Sequence, residues 1–268
     1  MPPAQRPYHS ARRLVGAIER LRAEAASRPT APLLELVAAA GGMEPRNPAV
    51  LGLAEALVAL PTRLAADVAD LDSDQVAYAR PGLRSLTETL TVANLQTPWA
   101  DLSARIGDNE MSALAICSLV LDAHAAERQL DTTTLARIAD DCRNLLAEIR
   151  LADNLPADVL EYVESALVAL MRAIDEYWLK GAGLVAQAVD TAVGRAVREH
   201  HFDTDDKNSK PVLKRLGIIL ARVALVIALA NDLHSLPNTV HDVVHGIVDV
   251  THEITEPPGS GPDVAGGR

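Results

Sequence analysis

"LGIILARVALVIALA", Leu216–Ala230, is the most apolar stretch of this 268-residue chain, and whether it crosses a membrane or lies inside a protein decides the fold. A spanning helix needs about 20 apolar residues. This run is shorter, follows Lys214 and Arg215, and carries Arg222 at its centre. A mid-membrane Arg costs about 2.5–3.5 kcal/mol, and each Leu, Ile or Val returns about 0.3–0.6, so the sum is close to zero. On a helical wheel Gly217, Ala221, Ala224 and Ala228 share one narrow side. Arg215 and Arg222 share another, and Leu216, Leu220, Val223, Ile227 and Ala230 form a third. Small residues at this spacing let a second helix approach closely. The stretch is expected to be a core helix whose Arg reaches the edge; the alternative is a helix that inserts into a membrane.

The composition agrees with helix. Apolar residues make up 49% of the chain and aromatics 3%, which favours Ala- and Leu-rich helices over strands. No strand alternation and no glycine-rich phosphate loop is visible. The expected fold is all-α, a helical bundle or irregular multi-helix array of about ten helices. The formal charge of -11 makes nucleic acid an improbable partner, because counterion displacement needs a basic surface. It also disfavours attachment to anionic lipid. Arg dominates over Lys, the usage of GC-rich coding and of a bacterial or phage source. The opening residues contain no apolar targeting core, so a cytoplasmic protein is expected. Cys117 and Cys142 fall at apolar helical positions and read as buried free thiols.

Along the chain, 1–7 and 256–268 are expected to be disordered, 8–203 to form a helical bundle, and 204–210 to be a polar linker. Residues 211–255 are expected to form a C-terminal helical pair packed on that bundle. Asn47 with Pro48 starts a helix that Pro61 is expected to kink or split. Asp72–Gly82 reads as a connector. Asp108 reads as a helix cap, and Thr132 or Thr133 lies near another. The clearest amphipathic stripe is Leu160, Val163, Leu167, Leu170, Ile174 and Trp178, with breaks at Gly181 and Gly183.

Three polar patterns could carry chemistry. "HDVVHGIVDVTHEIT" places His241, His245 and His252 on one helical side with Asp242 and Asp249 beside them, opposite Val240, Val243, Val244, Ile247 and Ile254. Two His one turn apart can share a metal, so His241, His245, Asp249 and His252 form a candidate ligand set; as a solvated face they need no metal. "DAHAAE" brings Asp122, His124 and Glu127 close in sequence and reads as an exposed helix end. "RAVREH", Arg195–His200, resembles the active-site motif of the HEPN helical ribonucleases. The resemblance covers this hexapeptide and implies that Arg195 and His200 act on an RNA backbone across a dimer. As a plain helix end, His200 and His201 are favourable near a C-terminus for dipole reasons.

No cofactor is implied. The leading expectation is a non-enzymatic helical interaction or assembly protein that self-associates or binds a protein partner. Its contact helix would carry Leu216, Gly217, Leu220, Ala221, Arg222, Ala224 and Ala228. A membrane-acting effector using 211–254 and an enzyme of one of the two kinds above are the alternatives.

Overall fold

The computed structural model describes residues 8–69, 71, 74–123, 129–152, 154–199 and 206–230. Among them the chain is all-α: eleven α-helices, one 3₁₀ turn and no strand. The helices are α1 Ser10–Ala25, α2 Leu33–Ala40, α3 Ala49–Asp67, α4 Asp74–Thr89, α5 Trp99–Ser103, α6 Asp108–Asp122, α7 Thr132–Arg150, α8 Ala157–Asp175, α9 Tyr177–Lys180, α10 Ala182–Arg198 and α11 Ser209–Ala230.

They bury two hydrophobic cores. In the first, α1 is central, touching α2, α3, α6 and α9, while α4 packs on α3 and α6. In the second, α7 packs on α8, α8 on α10, α10 on α11 and α11 back on α7, a closed four-helix bundle. The cores change over between α6 and α7, where no composition shift marks the sequence.

A short strap joins them. Helix α8 ends at Asp175 and α9 begins one residue later. That break turns Tyr177 into the second core and sends Trp178 and Leu179 into the first. Trp178 therefore leaves the stripe that periodicity assigns it to. The stripe itself is centred on Val159, Tyr162, Val163, Ala166 and Leu170, with Leu160 and Ile174 only half-buried at its edges. The strap is bound from several sides. Tyr8 stacks on Tyr177 with ring centroids 5.0 Å apart and donates its hydroxyl to the Trp178 carbonyl at 2.9 Å. Arg13 donates to the Lys180 carbonyl at 2.8 Å, and Tyr177 Oη accepts the Leu130 N–H at 2.8 Å. The buried Glu176 carboxylate is clamped by Arg172 at 2.7 Å and Lys180 at 2.6 Å, each one helical turn away.

Several local expectations are corrected. Pro61 does not split its helix. α3 continues to Asp67, because Val50, Leu53, Leu57, Leu60 and Leu64 hold one buried face across the missing N–H. Asp72–Gly82 is not a connector: from Asp74 it is the first half of α4, with Val76, Ala79, Leu83 and Leu86 buried at helical spacing and Pro81 inside. Gly107, not Asp108, caps α6, and the Glu110 carboxylate accepts the Gly107 N–H at 3.0 Å. Asp131 caps α7, accepting the Thr133 N–H at 3.0 Å, with Thr132 and Thr133 next to the cap as expected. Gly181 ends α9 at φ 79°, a conformation glycine adopts freely, whereas Gly183 is an ordinary residue of α10.

α11 has a core-facing side of Leu213, Leu216, Leu220, Val223 and Ile227, and Gly217, Ala224 and Ala228 are buried with them. Ala221 is half-buried and Arg222 exposed. Among the described residues the helix long and apolar enough to cross a membrane is α3, not α11, and α3 has its Leu53–Leu64 face in the first core.

Candidate functional site

A groove of about 670 Å³ lies between α1 and α6, closed at one side by α9. Its α1 wall is Arg12, Val15, Gly16, Glu19 and Arg20, residues three and four apart on one helical face. The α6 wall is Met111, Ala115, Ser118, Leu119 and Asp122, spaced in the same way. Leu119 is 66% exposed, a large apolar side chain left open to solvent. A methyl group built on Gly16 meets nothing within 4 Å, so the glycine leaves open space along the α1 wall.

The two ends of the groove differ in charge state. At one end Asp122 accepts from Arg12 Nε at 3.0 Å and Nη2 at 2.6 Å, a bidentate pair. His9 Nε2 lies 2.8 Å from the same carboxylate. The other ring nitrogen, Nδ1, accepts the Arg12 backbone N–H at 3.4 Å as the N-terminal cap of α1, so the proton belongs on Nε2. Both imidazole nitrogens and both carboxylate oxygens are thereby engaged, and the group clamps the start of α1 to the end of α6. The Arg12 guanidinium holds the Asp122 carboxyl below the usual carboxylate range, with His9 adding to the effect.

At the other end Arg20 lies 4.9 Å over the Trp178 ring. It has no carboxylate partner among the described residues, and neither has its neighbour Glu19 an ion-pair partner. Trp178 is 8% exposed, and its buried Nε1–H makes no hydrogen bond. A fixed cation and an adjacent anion beside an apolar floor suit contact with another helix.

The residues singled out from sequence fare differently. Arg195 stands on α10 with Nε 3.0 Å from both oxygens of Glu199, Nη1 3.0 Å from Ser165 Oγ and Nη2 3.3 Å from Glu161. Its guanidinium also lies 5.8 Å over the Tyr162 ring. A phosphate would have to displace two carboxylates to reach it. His200 lies outside the described residues, as do His241, His245, Asp249, His252, His124 and Glu127. Among the described residues no group of three His, Cys, Asp or Glu is placed to hold a metal ion. Of Asp122, His124 and Glu127, Asp122 alone is among the described residues, and its partners are His9 and Arg12. No spacing rule could have found that clamp, because its members lie more than 100 residues apart in sequence.

Along the exposed side of α11, Arg222 Nη1 donates to Asp141 Oδ2 of α7 at 2.8 Å, and Arg215 pairs with Glu148. Both basic residues of that wheel face are thus met by acids from one neighbouring helix. No protein-family model, curated protein or solved structure matches this chain.

Proposed function

We propose that this chain is a non-enzymatic helical interaction and assembly protein, cytoplasmic and of bacterial or phage type, that self-associates through the α1/α6 groove. One observation carries the reading: an open helix–helix channel with glycine at Gly16, the exposed Leu119 beside it, and Glu19 and Arg20 without ion-pair partners among the described residues. Glycine lets a second helix come close, and exposed leucine supplies apolar area to bury. In a twofold contact crossing near Gly16, positions four residues to either side of it exchange places. Glu19 and Arg20 then lie toward the end of the groove that carries the partner's paired Arg12 and Asp122. The engagement of Arg195 with Glu199 and Glu161 supports the non-enzymatic part of the reading.

Light scattering across a concentration series tests it. A dimer or higher species is expected, reduced to monomer by Gly16→Trp and by Leu119→Glu with helicity unchanged. A monomer at every concentration, or an oligomer indifferent to both variants, overturns it.

A membrane-acting role for 211–254 is the alternative. It requires Arg222 to leave Asp141 and Arg215 to leave Glu148. Co-sedimentation with neutral lipid vesicles would favour it.

A further inference from the structure

Three of the four lysines of this Arg-rich chain, Lys207, Lys210 and Lys214, fall together at the start of α11. All three are exposed, and none has an ion-pair partner among the described residues. The acid beside them, Asp206, caps the helix: its carboxylate accepts the Ser209 N–H at 2.8 Å and the Ser209 hydroxyl. It offsets one of the three charges. The first turn of α11 holds no acidic residue, so the positive end of the helix dipole adds to the lysines. Lys210 and Lys214 also open a line that continues along one side of α11 through Ile218, Ala221, Leu225 and Leu229, in steps of three and four. Ile218 and Ala221 are half-buried, whereas Leu225 is 55% and Leu229 58% exposed. Arg215 and Arg222 stand at the edge of this line, turned toward α7, where Glu148 and Asp141 neutralise them.

We infer that this side of α11 docks on an anionic membrane surface while the helix stays in its bundle. Lys207, Lys210 and Lys214 lie among the lipid headgroups, and Leu225 and Leu229 enter the apolar layer beneath them. Three observations support this occupant. The first is charge: an unpaired basic cluster attracts an anionic surface. The net charge of -11 opposes attachment of the whole chain, but at physiological ionic strength charges more than about 8 Å away are screened, so the local patch governs. The second is residue type. Lysine is a hydrated point charge on a flexible apolar stem, suited to loosely arranged headgroups, whereas arginine suits fixed bidentate pairing. The third is the apolar end of the line. A nucleic acid or an acidic peptide satisfies the lysines but offers nothing to two open leucines; a bilayer takes both. Neither Arg222 nor Arg215 has to leave its partner, which separates this contact from insertion of the helix. The face lies on the second core and does not depend on the α1/α6 groove.

Co-sedimentation of the full chain with vesicles tests the inference, using phosphatidylcholine alone and phosphatidylcholine mixed with phosphatidylserine. Binding is expected to the mixed vesicles, weakening with added salt, and not to the neutral ones. Each lysine near an anionic surface is worth about a fivefold factor, so Lys207→Gln, Lys210→Gln and Lys214→Gln together should weaken partitioning on the order of 100-fold. Leu225→Ser with Leu229→Ser should weaken it about tenfold. All five side chains are exposed, so helicity by circular dichroism should be unchanged in both variants. Cys142, buried in the second core, should stay unreactive toward a thiol reagent on the vesicle. No binding to the mixed vesicles, equal binding to neutral ones, or binding that survives the triple lysine substitution overturns the proposal. Labelling of Cys142 on the vesicle overturns it in favour of insertion. Heparin binding stronger than vesicle binding and indifferent to the leucine pair overturns it in favour of a soluble polyanion.

Discussion

Arg222 and Asp141 are joined at 2.8 Å across α11 and α7, and seven residues along both helices Arg215 and Glu148 are joined in the same sense. The two pairs advance in opposite directions along the chain, so they fix α7 and α11 as antiparallel and in one register. The Arg that interrupts the most apolar stretch is thus an edge residue with a partner, while the apolar sides of the same helix supply the core.

Both members of the Arg222–Asp141 pair are about half exposed, so its contribution to stability is small, about 0–1 kcal/mol. Arg222→Leu is expected to leave the urea midpoint nearly unchanged. It also removes a charge from the apolar run, so binding of the variant to lipid vesicles should rise. A loss of several kcal/mol in the denaturation curve would show that the pair matters more than its exposure allows.

The His9–Arg12–Asp122 clamp makes an acid-sensitive contribution. Asp122 titrates below the ordinary carboxylate value in the folded chain. Its stabilisation is therefore complete above the unfolded pKa and is lost as pH falls through the lowered folded one. Asp122→Asn should cost about 1–2 kcal/mol at neutral pH and flatten the stability profile in acid. Urea titrations of both proteins at several pH values between neutrality and the carboxylate range measure this.

Each core encloses one thiol, Cys117 in the first and Cys142 in the second. Burial raises both, Cys142 to about 12, so neither should react with a thiol reagent until its core opens. In single-cysteine variants the two are expected to become reactive at the same denaturant concentration, because the Glu176–Gly181 strap is bound into both cores. Trp178→Ala empties a large site in the first core at a cost of about 3–5 kcal/mol. It should make Cys117 reactive well before Cys142.

Two glycines separate backbone freedom from packing. Within one chain a Cβ on Gly16 touches nothing, so at concentrations where the chain is monomeric Gly16→Ala should stabilise α1 by up to about 1 kcal/mol. A Cβ on Gly82 would lie 2.6 Å from the Ala113 Cβ and 3.0 Å from the Asn109 carbonyl, where α4 crosses α6. Gly82→Ala should therefore destabilise by about 1–3 kcal/mol. Thermal unfolding of the two variants should move in opposite directions.

Tyr162 is fully buried and donates its hydroxyl to the Ala192 carbonyl at 3.0 Å, joining α8 to α10. Tyr162→Phe keeps the ring and loses this bond, at an expected cost of about 0.5–1.5 kcal/mol by equilibrium unfolding.

The amino-acid sequence by itself determined that the chain is helical, which faces of its longer helices are apolar, and that Leu216–Ala230 has a core-facing side. These follow from propensity and from the 3.6-residue period, both local properties. Only the tertiary structure decided that there are two cores, that Trp178 serves the first and Tyr177 the second, and that Asp122 belongs with His9 and Arg12. The physical reason is range. A one-residue break at Glu176 redirects every side chain after it, and no local pattern announces where the next helix packs. Pro61 and Pro81 make the same point, since burial of a whole helical face outweighs the local preference of one residue to interrupt it. The groove between α1 and α6 is a product of two helices far apart in the chain, so neither sequence segment alone contains it.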